Sequence, residues 1–376
     1  MIDEINSTEL HTCLLEITLL PLAHYWHFWY GPLDAAIYGS FILGAKILWH
    51  IVDFGQSMRT AAEVNEQLRR RRMETVEERT DIGRVYLKEY SGSAVKAEFL
   101  AKLLECVNEQ GIHTETVVRT TEGECLAKDP DGVSYLLRKW CEGRECNTAS
   151  WDEILRSADI LASLHGAMNQ MEHPLTEVLD TDAGRLLRTY EKHTRELRTV
   201  RNYTRGRKNK SEFEKEFLEL YPKFEEQASE ILESLREQEG KKEGMGICHG
   251  DFNQHNVVFR SEYAAVISFD NICYDVQIGD LARFMRKILE KNNWNMGLGM
   301  EMIRAYSDKK AMSPYETKQL YLRLAYPEKF WKIANHYYNA NKAWGFGRYL
   351  EKLEKIKAEE ENREQFLAYM KHFAYS

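Results

Sequence analysis

The sequence lacks several features that would assign the protein to a specialised class. Its seven cysteines include no pair at CxxC spacing, so neither a disulfide framework nor a structural zinc site is indicated. The first residues are acidic and polar rather than basic and then apolar, so no cleavable signal is indicated. The net charge of −8 is opposite to that of a protein that coats nucleic acid. These absences predict a cytoplasmic protein with reduced thiols and no nucleic-acid partner.

The sequence also lacks a long uninterrupted apolar run. A spanning helix needs about 18–20 clean residues, but in the apolar segment 13–54 one run is broken by Pro21 and Gly31 and the next ends at Lys46. The aromatic stretch HYWHFWY within it is of a kind found at membrane interfaces, which leaves peripheral membrane contact as an alternative. We favour a helical hairpin packed on the protein and assign residues 1–60 to an apolar N-terminal helical extension.

The remaining chain changes from a strand-rich to a helix-rich pattern. Residues 56–80 are polar and helix-prone, 83–92 alternate as a strand, and 94–111 have apolar residues at helical spacing. Three short strands follow within 114–140, and from Trp151 onward the pattern is helical except for a β-like island at 247–268. This order predicts a small β-rich lobe at 61–141 and a large helical lobe at 142–376.

The β-like island at 247–268 contains the motif that suggests a catalytic function. In CHGDFNQHNVVF (248–259), Asn256 follows Asp251 by five residues, and an apolar strand comes next. Kinase catalytic loops use this spacing, with the Asp accepting the proton of the substrate hydroxyl and the Asn ligating Mg²⁺. The spacing alone is weak, but HGDxxxxN before an apolar strand is a strong signal.

The HGD form of this loop resembles the aminoglycoside phosphotransferase and choline kinase superfamily, part of the protein kinase-like proteins. LAYPEKFWKIANHYYNANKAW (324–344), YLLRKWCEGRECN, LASLHGAM and YDVQIGDLARFMRKILEKNNW further resemble the CotS-type spore-coat family. The resemblance covers the chain from Arg84 to its C terminus. It implies an α+β, bilobal protein kinase-like fold with a small β-rich N-lobe and a large helical C-lobe of the choline kinase type.

The resemblance assigns nucleotide-binding roles in the small lobe. Lys88, in the strand VYLKEY, is similar to the lysine that holds the α- and β-phosphates of ATP. Glu98 on the next helix is the candidate for its ion-pair partner, with Glu105 as the runner-up. Each of these side chains would otherwise be an ordinary solvated charge, so only their joint occurrence in the expected order favours binding.

The resemblance assigns catalytic roles in the large lobe. Asp251 corresponds to the catalytic base, and His249 and Asn256 complete its loop. Asp280, in GDLARF, corresponds to a buried carboxylate that braces the loop through backbone hydrogen bonds. The plainer alternative for Asp280 is a helix N-cap.

The chain departs from the family where Mg²⁺ binds. The metal-binding Asp normally ends the second strand, as in IDF, but the triplet here is ISF, with Ser268 in its place. A neutral hydroxyl cannot replace a carboxylate for a hard dication. Asp270 is the candidate replacement, yet in a continuing strand it would lie ~6.6 Å from position 268 on the same side. Asn256 and Asp270 are therefore the only metal ligands that the sequence suggests.

The chain also departs from the family at the hairpin that would contact the phosphates of ATP. A glycine-rich hairpin lets backbone N–H groups reach the phosphates, but Gly83 is the only glycine in residues 69–88. The ATP and Mg²⁺ cofactors that the resemblance implies are thus expected to bind weakly. We expect a catalytically impaired, structural spore-coat protein that first resides in the mother-cell cytoplasm and whose partners are other coat proteins. The alternative is an active ATP-dependent phosphotransferase using Asp251 and Asp270. Its acceptor is not specified, although the acidic composition suggests a cationic or sugar-like one.

Overall fold

A computed structural model describes residues 75–80, 83–129, 132–171, 178–179, 184–261, 263–339 and 346–375. The predicted extension 1–60, with its apolar segment 13–54, lies outside the described residues. The chain divides into two compact units. The first takes in the described residues up to 101 together with 116–140, and the second takes in 102–115 and the described residues from 141 onward.

The strands are concentrated before residue 146 and around the predicted island. In chain order they are β1 Thr75–Thr80, β2 Gly83–Glu89, β3 His113–Thr114, β4 Thr116–Val118, β5 Leu126–Lys128, β6 Ser134–Lys139, β7 Arg144–Glu145, β8 Met245–Cys248, β9 Val257–Phe259, β10 Ala264–Val266 and β11 Cys273–Val276.

The helices dominate the rest of the described chain. In order they are α1 Ala94–Glu109, α2 Trp151–Met168, α3 Arg185–Gly206, α4 Glu212–Arg236, α5 Ile278–Lys291, α6 Met296–Ser307, α7 Pro314–Ala325, α8 Glu328–Asn339 and α9 Phe346–Tyr375. This content confirms the predicted α+β class, with a small strand-rich N-terminal region and a larger helical C-terminal part.

The first unit is organised around one antiparallel sheet. Its strand order is β1-β2-β6-β4, and β5 also pairs with β6. Residues 75–80 form β1 in this sheet, so the helical interpretation of 56–80 is wrong for these six residues, while 56–74 lie outside the described residues. Pairing with β2, from Thr75 opposite Lys88 to Thr80 opposite Gly83, outweighs the weak helix propensity of the glutamates and arginines.

The second unit is mostly helical and holds two small sheets. In one, β10 pairs with β9 in antiparallel and with β3 in parallel orientation, and in the other β8 pairs with β11. Strand β11 was not predicted, because its residues Cys273–Val276 alternate only partly. Between the two sheets the chain runs through two polar loops, 249–256 and 267–272, so the β pairing fixes the ends of both.

The helical core of the second unit is strongly aromatic. Phe217 and Phe224 of α4 pack on Phe330 of α8, with ring centroids 5.2 Å and 4.5 Å apart. Full burial of such side chains contributes about 1.5–3 kcal/mol each. Among the described residues, no helix combines the length and apolar character needed to cross a membrane.

Candidate functional site

The HGD loop is a tight connection between β8 and β9, and its glycine is required by geometry. Gly250 has φ +80°, in the left-handed region. A Cβ at this position would lie 1.9 Å from the backbone oxygen of Asn271, far inside contact distance. The loop 249–256 and the segment 267–271 therefore touch at Gly250, and a side chain there would separate them.

Asp280 holds the start of this loop. It lies in the first turn of α5, with Gln277 as the N-cap residue, and is 2% exposed. Its Oδ2 accepts the backbone N–H of His249 at 2.8 Å, and its Oδ1 accepts that of Gly250 at 3.0 Å. One buried carboxylate thus fixes two successive peptide groups immediately before Asp251.

A histidine that the sequence analysis did not select, His165, orients Asp280. His165 of α2, buried in the stretch LASLHGAM, contacts Asp280 Oδ2 through Nε2 at 3.2 Å and the Tyr306 hydroxyl through Nδ1 at 2.9 Å. Burial raises the pKa of Asp280, but the hydrogen bond and charge of His165, with smaller contributions from His249 and Arg283, leave that pKa below its ordinary value. Asp280 is therefore ionised at neutral pH and remains a hydrogen-bond acceptor.

His249 connects the loop to the segment after β10. Its Nε2 lies 2.9 Å from the carbonyl oxygen of Ile267, and its Nδ1 accepts the backbone N–H of Asp251 at 3.2 Å. A carbonyl can only accept and an N–H can only donate, so these contacts fit a neutral ring protonated at Nε2. Burial lowers the pKa of His249, which keeps the ring neutral.

The structure brings Asp251 and Asn256 together. The Asn256 side-chain amide donates to the Asp251 backbone oxygen at 2.8 Å and to its Oδ2 at 3.3 Å. Asn253 also donates to the Asp251 backbone oxygen, at 2.9 Å. Asp251 is half-buried and reaches an open cleft. The predicted base therefore has a defined position and access to a ligand.

The segment that follows β10 does not continue as a strand. Strand β10 ends at Val266, Ser268 is left-handed (φ 68°, ψ 52°), and Phe269–Asn271 form one turn of 3₁₀-helix. The expected spacing of positions 268 and 270 along an extended chain is therefore wrong, because the backbone turns at Ser268. Phe269 is buried against His249, and its N–H donates to Glu115 Oε1 at 3.1 Å.

The residues at this turn do not fit the Mg²⁺ site that the fold implies. Magnesium takes oxygen ligands in near-octahedral geometry, usually with one or two carboxylates. Ser268 supplies a neutral hydroxyl, and the Asn256 amide nitrogen faces Asp251. In the part of the chain that the structure describes, no three His, Cys, Asp or Glu side chains converge as a metal site. Asp270 lies half-buried in the 3₁₀ turn, two residues beyond the expected position.

The predicted nucleotide-binding residues lie on β2 and α1. Lys88 is half-buried on β2, in register with Leu136 of β6. Both carboxylate oxygens of Glu98 accept from Arg119, at 2.7 Å and 3.1 Å. Sequence reasoning did not anticipate Arg119, so the pairing of Glu98 with Lys88 stays a prediction. Glu105, the runner-up, is exposed on α1.

Asp251 opens onto a cleft of about 500 Å³ within the second unit. Helices α3, α5, α7 and α8 contribute most of its walls, and the HGD loop, Asn271 and β11 contribute the rest. Its basic side chains are Arg185, Arg283, Arg286, Lys287, Arg323, Lys329 and Lys332, and its acidic ones are Asp251, Asp275, Glu290 and Glu328. Sequence reasoning missed this basic cleft, because its residues come from four separate helices.

Solved structures with a similar fold are phosphotransferases. An aminoglycoside phosphotransferase from Alicyclobacillus acidocaldarius subsp. acidocaldarius DSM 446 matches with a TM-score of 0.70 at 20% identity, over 80% of this chain and 90% of that one. The amicoumacin kinase hAmiN, solved with AMP-PNP, Ca²⁺ and Ami, matches with a TM-score of 0.51 at 14% identity, over 78% and 85% of the two chains. These likenesses confirm the predicted kinase-like fold.

Sequence comparison identifies the family. Spore coat protein S of Bacillus subtilis (strain 168) is 22% identical over 297 residues, which make up 77% of this chain and 84% of the relative. A family model described as "Spore coat putative kinase YutH" matches residues 62–370, most of the chain. The chain therefore belongs to the spore-coat family of YutH, whose members are described as spore coat putative kinases.

Proposed function

We propose that this protein is a component of the spore coat, made in the mother-cell cytoplasm, in which the kinase-like fold has a mainly structural role among other coat proteins. Its transfer of phosphoryl groups from Mg-ATP is strongly impaired. The observation that carries this proposal is Ser268, which stands in the left-handed turn after β10 where relatives with the IDF triplet have a carboxylate.

The expected size of the impairment follows from the charge that is missing. Stabilisation of developing charge by a metal or other fixed group is commonly worth several kcal/mol of barrier. A positioned general base such as Asp251 contributes only about 10²–10⁴-fold in rate. The base alone is therefore not expected to sustain efficient phosphoryl transfer.

The second candidate function is an active ATP-dependent phosphotransferase acting on a small-molecule or protein hydroxyl. It is favoured by the contacts that orient Asp251, namely the Asn256 amide and the Asp280 carboxylate below the loop. In this alternative Asp251 is the base, Asn256 and Asp270 hold Mg²⁺, and Lys88 with Glu98 binds the ATP phosphates.

Calorimetric titration of Mg-ATP into the full chain separates the two. We expect weak binding by the parent and binding at least about tenfold tighter in Ser268→Asp, because a carboxylate would return to the metal position. Aspartate adopts the left-handed backbone of position 268 more readily than most residues, so the variant adds charge with no more backbone strain than serine already has. Ser261→Asp, at an exposed turn residue after β9, adds the same charge elsewhere and should change nothing.

The decisive counter-test is Asp270→Ala. If the parent binds Mg-ATP tightly and this variant does not, Asp270 has taken over the metal and the protein is an active phosphotransferase. If neither Ser268→Asp nor Asp270→Ala alters binding, the metal position has been assigned to the wrong residues.

A further inference from the structure

We propose that the cleft beside Asp251 is a binding site for a small, hydroxyl-bearing anion that carries a phosphate or carboxylate group, such as a sugar phosphate or a sugar acid. This inference goes beyond the proposed function, because such a ligand can bind whether or not a phosphoryl group is transferred. It also reverses the expectation from composition, since a chain with net charge −8 surrounds this cleft with seven basic and four acidic side chains.

The basic side chains of α5 form a continuous face of the cleft. Arg283, Arg286, Lys287 and Glu290 follow one another at helical spacing, so they project to the same side of α5. Carboxylates neutralise part of this face, since Glu328 pairs with both Arg286 and Lys332. Lys329 likewise lies within ion-pair distance of Glu290 and Glu359, so the unneutralised positive charge comes from the other basic residues of the cleft.

Three exposed cations at the cleft form no ion pair with any carboxylate that the structure describes. Arg283 and Lys287 of α5 and Arg185 of α3 have no carboxylate within ion-pair distance among the described residues. Like charges gathered on one surface repel one another, and a bound anion would relieve that repulsion. Guanidinium and ammonium groups are also the side chains that bind phosphate and carboxylate oxygens most strongly.

A buried arginine points to the same ligand chemistry. Arg323 of α7 lines the cleft and is 9% exposed, and its Nε has no hydrogen-bond partner among the described residues. Its guanidinium packs over Gly279, where an added Cβ would lie 3.3 Å from Cζ. A buried, unpartnered donor on a charged group is costly, so such groups normally have a partner. Arg323 therefore adds a cationic group to the cleft wall, and no carboxylate of the described residues lies within ion-pair distance of it.

The pKa values of two cleft lysines are lowered mainly by burial and next by neighbouring cations. Burial, followed by the charge of Lys332, lowers the pKa of Lys287, and Glu290 opposes this change. Burial, followed by the charge of Arg286, lowers the pKa of Lys332, and Glu290 again opposes it. The two ammonium groups therefore lie close to other cations at the wall of the cleft.

Size and polarity restrict the ligand to a small molecule. A volume of about 500 Å³ lies within the range of small-molecule sites. Asn253 and Asn271 line the end next to Asp251, where their amides can bind hydroxyl groups. The anionic group would lie towards Lys287 and Arg283, and a hydroxyl would lie towards Asp251.

Calorimetry with the full chain, without nucleotide or metal, tests the site directly. The probes are glucose 6-phosphate, glucose and glucosamine, which share one scaffold and differ in charge. We expect glucose 6-phosphate to bind and the other two to bind at least about tenfold more weakly, because charge-assisted contacts supply the affinity. Tighter binding of glucosamine, or no binding of glucose 6-phosphate at millimolar concentration, would overturn the proposal.

Matched variants locate the binding. The double variant Arg283→Gln with Lys287→Gln should weaken binding of glucose 6-phosphate at least about tenfold. Lys291→Gln removes an exposed cation from the same helix outside the cleft and should leave binding unchanged. Equal losses in both would mean general charge attraction rather than a site. Binding of poly-glutamate in preference to glucose 6-phosphate would instead assign the cleft to an acidic protein partner and overturn the small-molecule ligand.

Because nucleotide and metal are left out, this result is independent of phosphoryl transfer. Loss of anion binding would refute the cleft assignment and leave the Ser268 argument intact. Tight Mg-ATP binding by the parent would refute the impaired-kinase proposal and leave the anion site intact.

Discussion

The loop 249–256 and the segment 267–271 lie in contact in the same unit, yet they differ in what they retain of a phosphotransferase. The loop has the predicted base Asp251, the asparagine Asn256 and the carboxylate of Asp280 that holds its backbone. The segment has the packing residue Phe269, buried against His249, but a serine where a carboxylate is expected. The difference separates two requirements of a phosphotransferase site that are usually met together. One is the position of the loop side chains, and the other is the carboxylate charge at the metal position.

The loop and the segment keep their positions because backbone groups form the contacts that hold them. His249 contacts the Ile267 oxygen, and the Phe269 N–H donates to Glu115, and neither contact involves the side chain of residue 268. Replacing a carboxylate by Ser268 therefore removes charge without a structural reason for the base to move. The following changes test that separation, from the largest expected effect to the smallest.

Asp280→Ala should be the most destabilising change. It leaves the N–H groups of His249 and Gly250 without their acceptor and removes the partner of His165. Breaking a buried charged network of this type costs about 3–5 kcal/mol. Urea unfolding of the full chain measures it. Asp275→Ala is the control, since among the described residues that half-buried side chain accepts only from the adjacent Val276 N–H and should cost far less. Equal midpoints for Asp280→Ala and the parent would refute the brace.

Gly250→Ala tests the place where loop and segment touch. The added methyl would meet the Asn271 oxygen, and overpacking together with a left-handed alanine is expected to cost about 2–4 kcal/mol. Gly240→Ala has nearly the same φ (+82°) but no atom within 4 Å, so it isolates the backbone strain of about 1 kcal/mol. If both variants lose the same stability in urea unfolding, the close approach to Asn271 does not constrain the loop.

Acid should destabilise the fold by a smaller amount, through His249 of the loop and His193 of α3. The folded pKa of His249 is lowered by burial, and that of His193 is lowered to about 4, again mainly by burial. Between the ordinary histidine pKa of about 6.5 and these folded values the unfolded chain binds more protons, so stability falls as the pH is lowered through that window. Melting temperatures measured from pH 7 to pH 4 check the slope. His193→Gln should flatten it, and an unchanged slope in that variant would exclude His193 as a contributor.

Ser268→Gly should give the smallest effect, and a favourable one. Glycine adopts φ 68° without the penalty of a Cβ, although it loses more conformational entropy on folding, so a net gain of about 0.5 kcal/mol is expected. Mg-ATP binding should not improve, in contrast to Ser268→Asp. Destabilisation of Ser268→Gly in urea would mean that the serine hydroxyl holds the turn.

Much of the architecture could be predicted from local pattern. Helix α1, the short strands β4 to β6, the long charged helices α3 and α4 and the start of α5 all have periodicity or turn residues that specify them. Strand β1 could not be predicted, because its two glutamates and Arg79 favour a helix until β2 pairs with it. Strand β11 was missed because its residues alternate only partly, and it forms by pairing with β8.

The residues of the candidate site also fall into two groups, those that the sequence analysis could select and those that it could not. The residues of the HGD loop and Asp280 could be selected by their resemblance to the family motifs, and the structure places them in hydrogen-bond contact. Arg119 as a partner of Glu98, His165 beside Asp280 and the basic cleft could not be selected. In each case the partners lie far apart in the chain, and no short-range pattern relates them.

By itself the sequence determined which groups exist: a base and an asparagine five residues apart, a glycine between histidine and aspartate, and no carboxylate at position 268. Only the tertiary structure decided that the chain turns at Ser268 rather than continuing as a strand, and that cations from four helices meet beside Asp251. The physical reason is that charge and hydrogen-bonding capacity belong to single residues, whereas electrostatic fields and backbone turns depend on what packs around them.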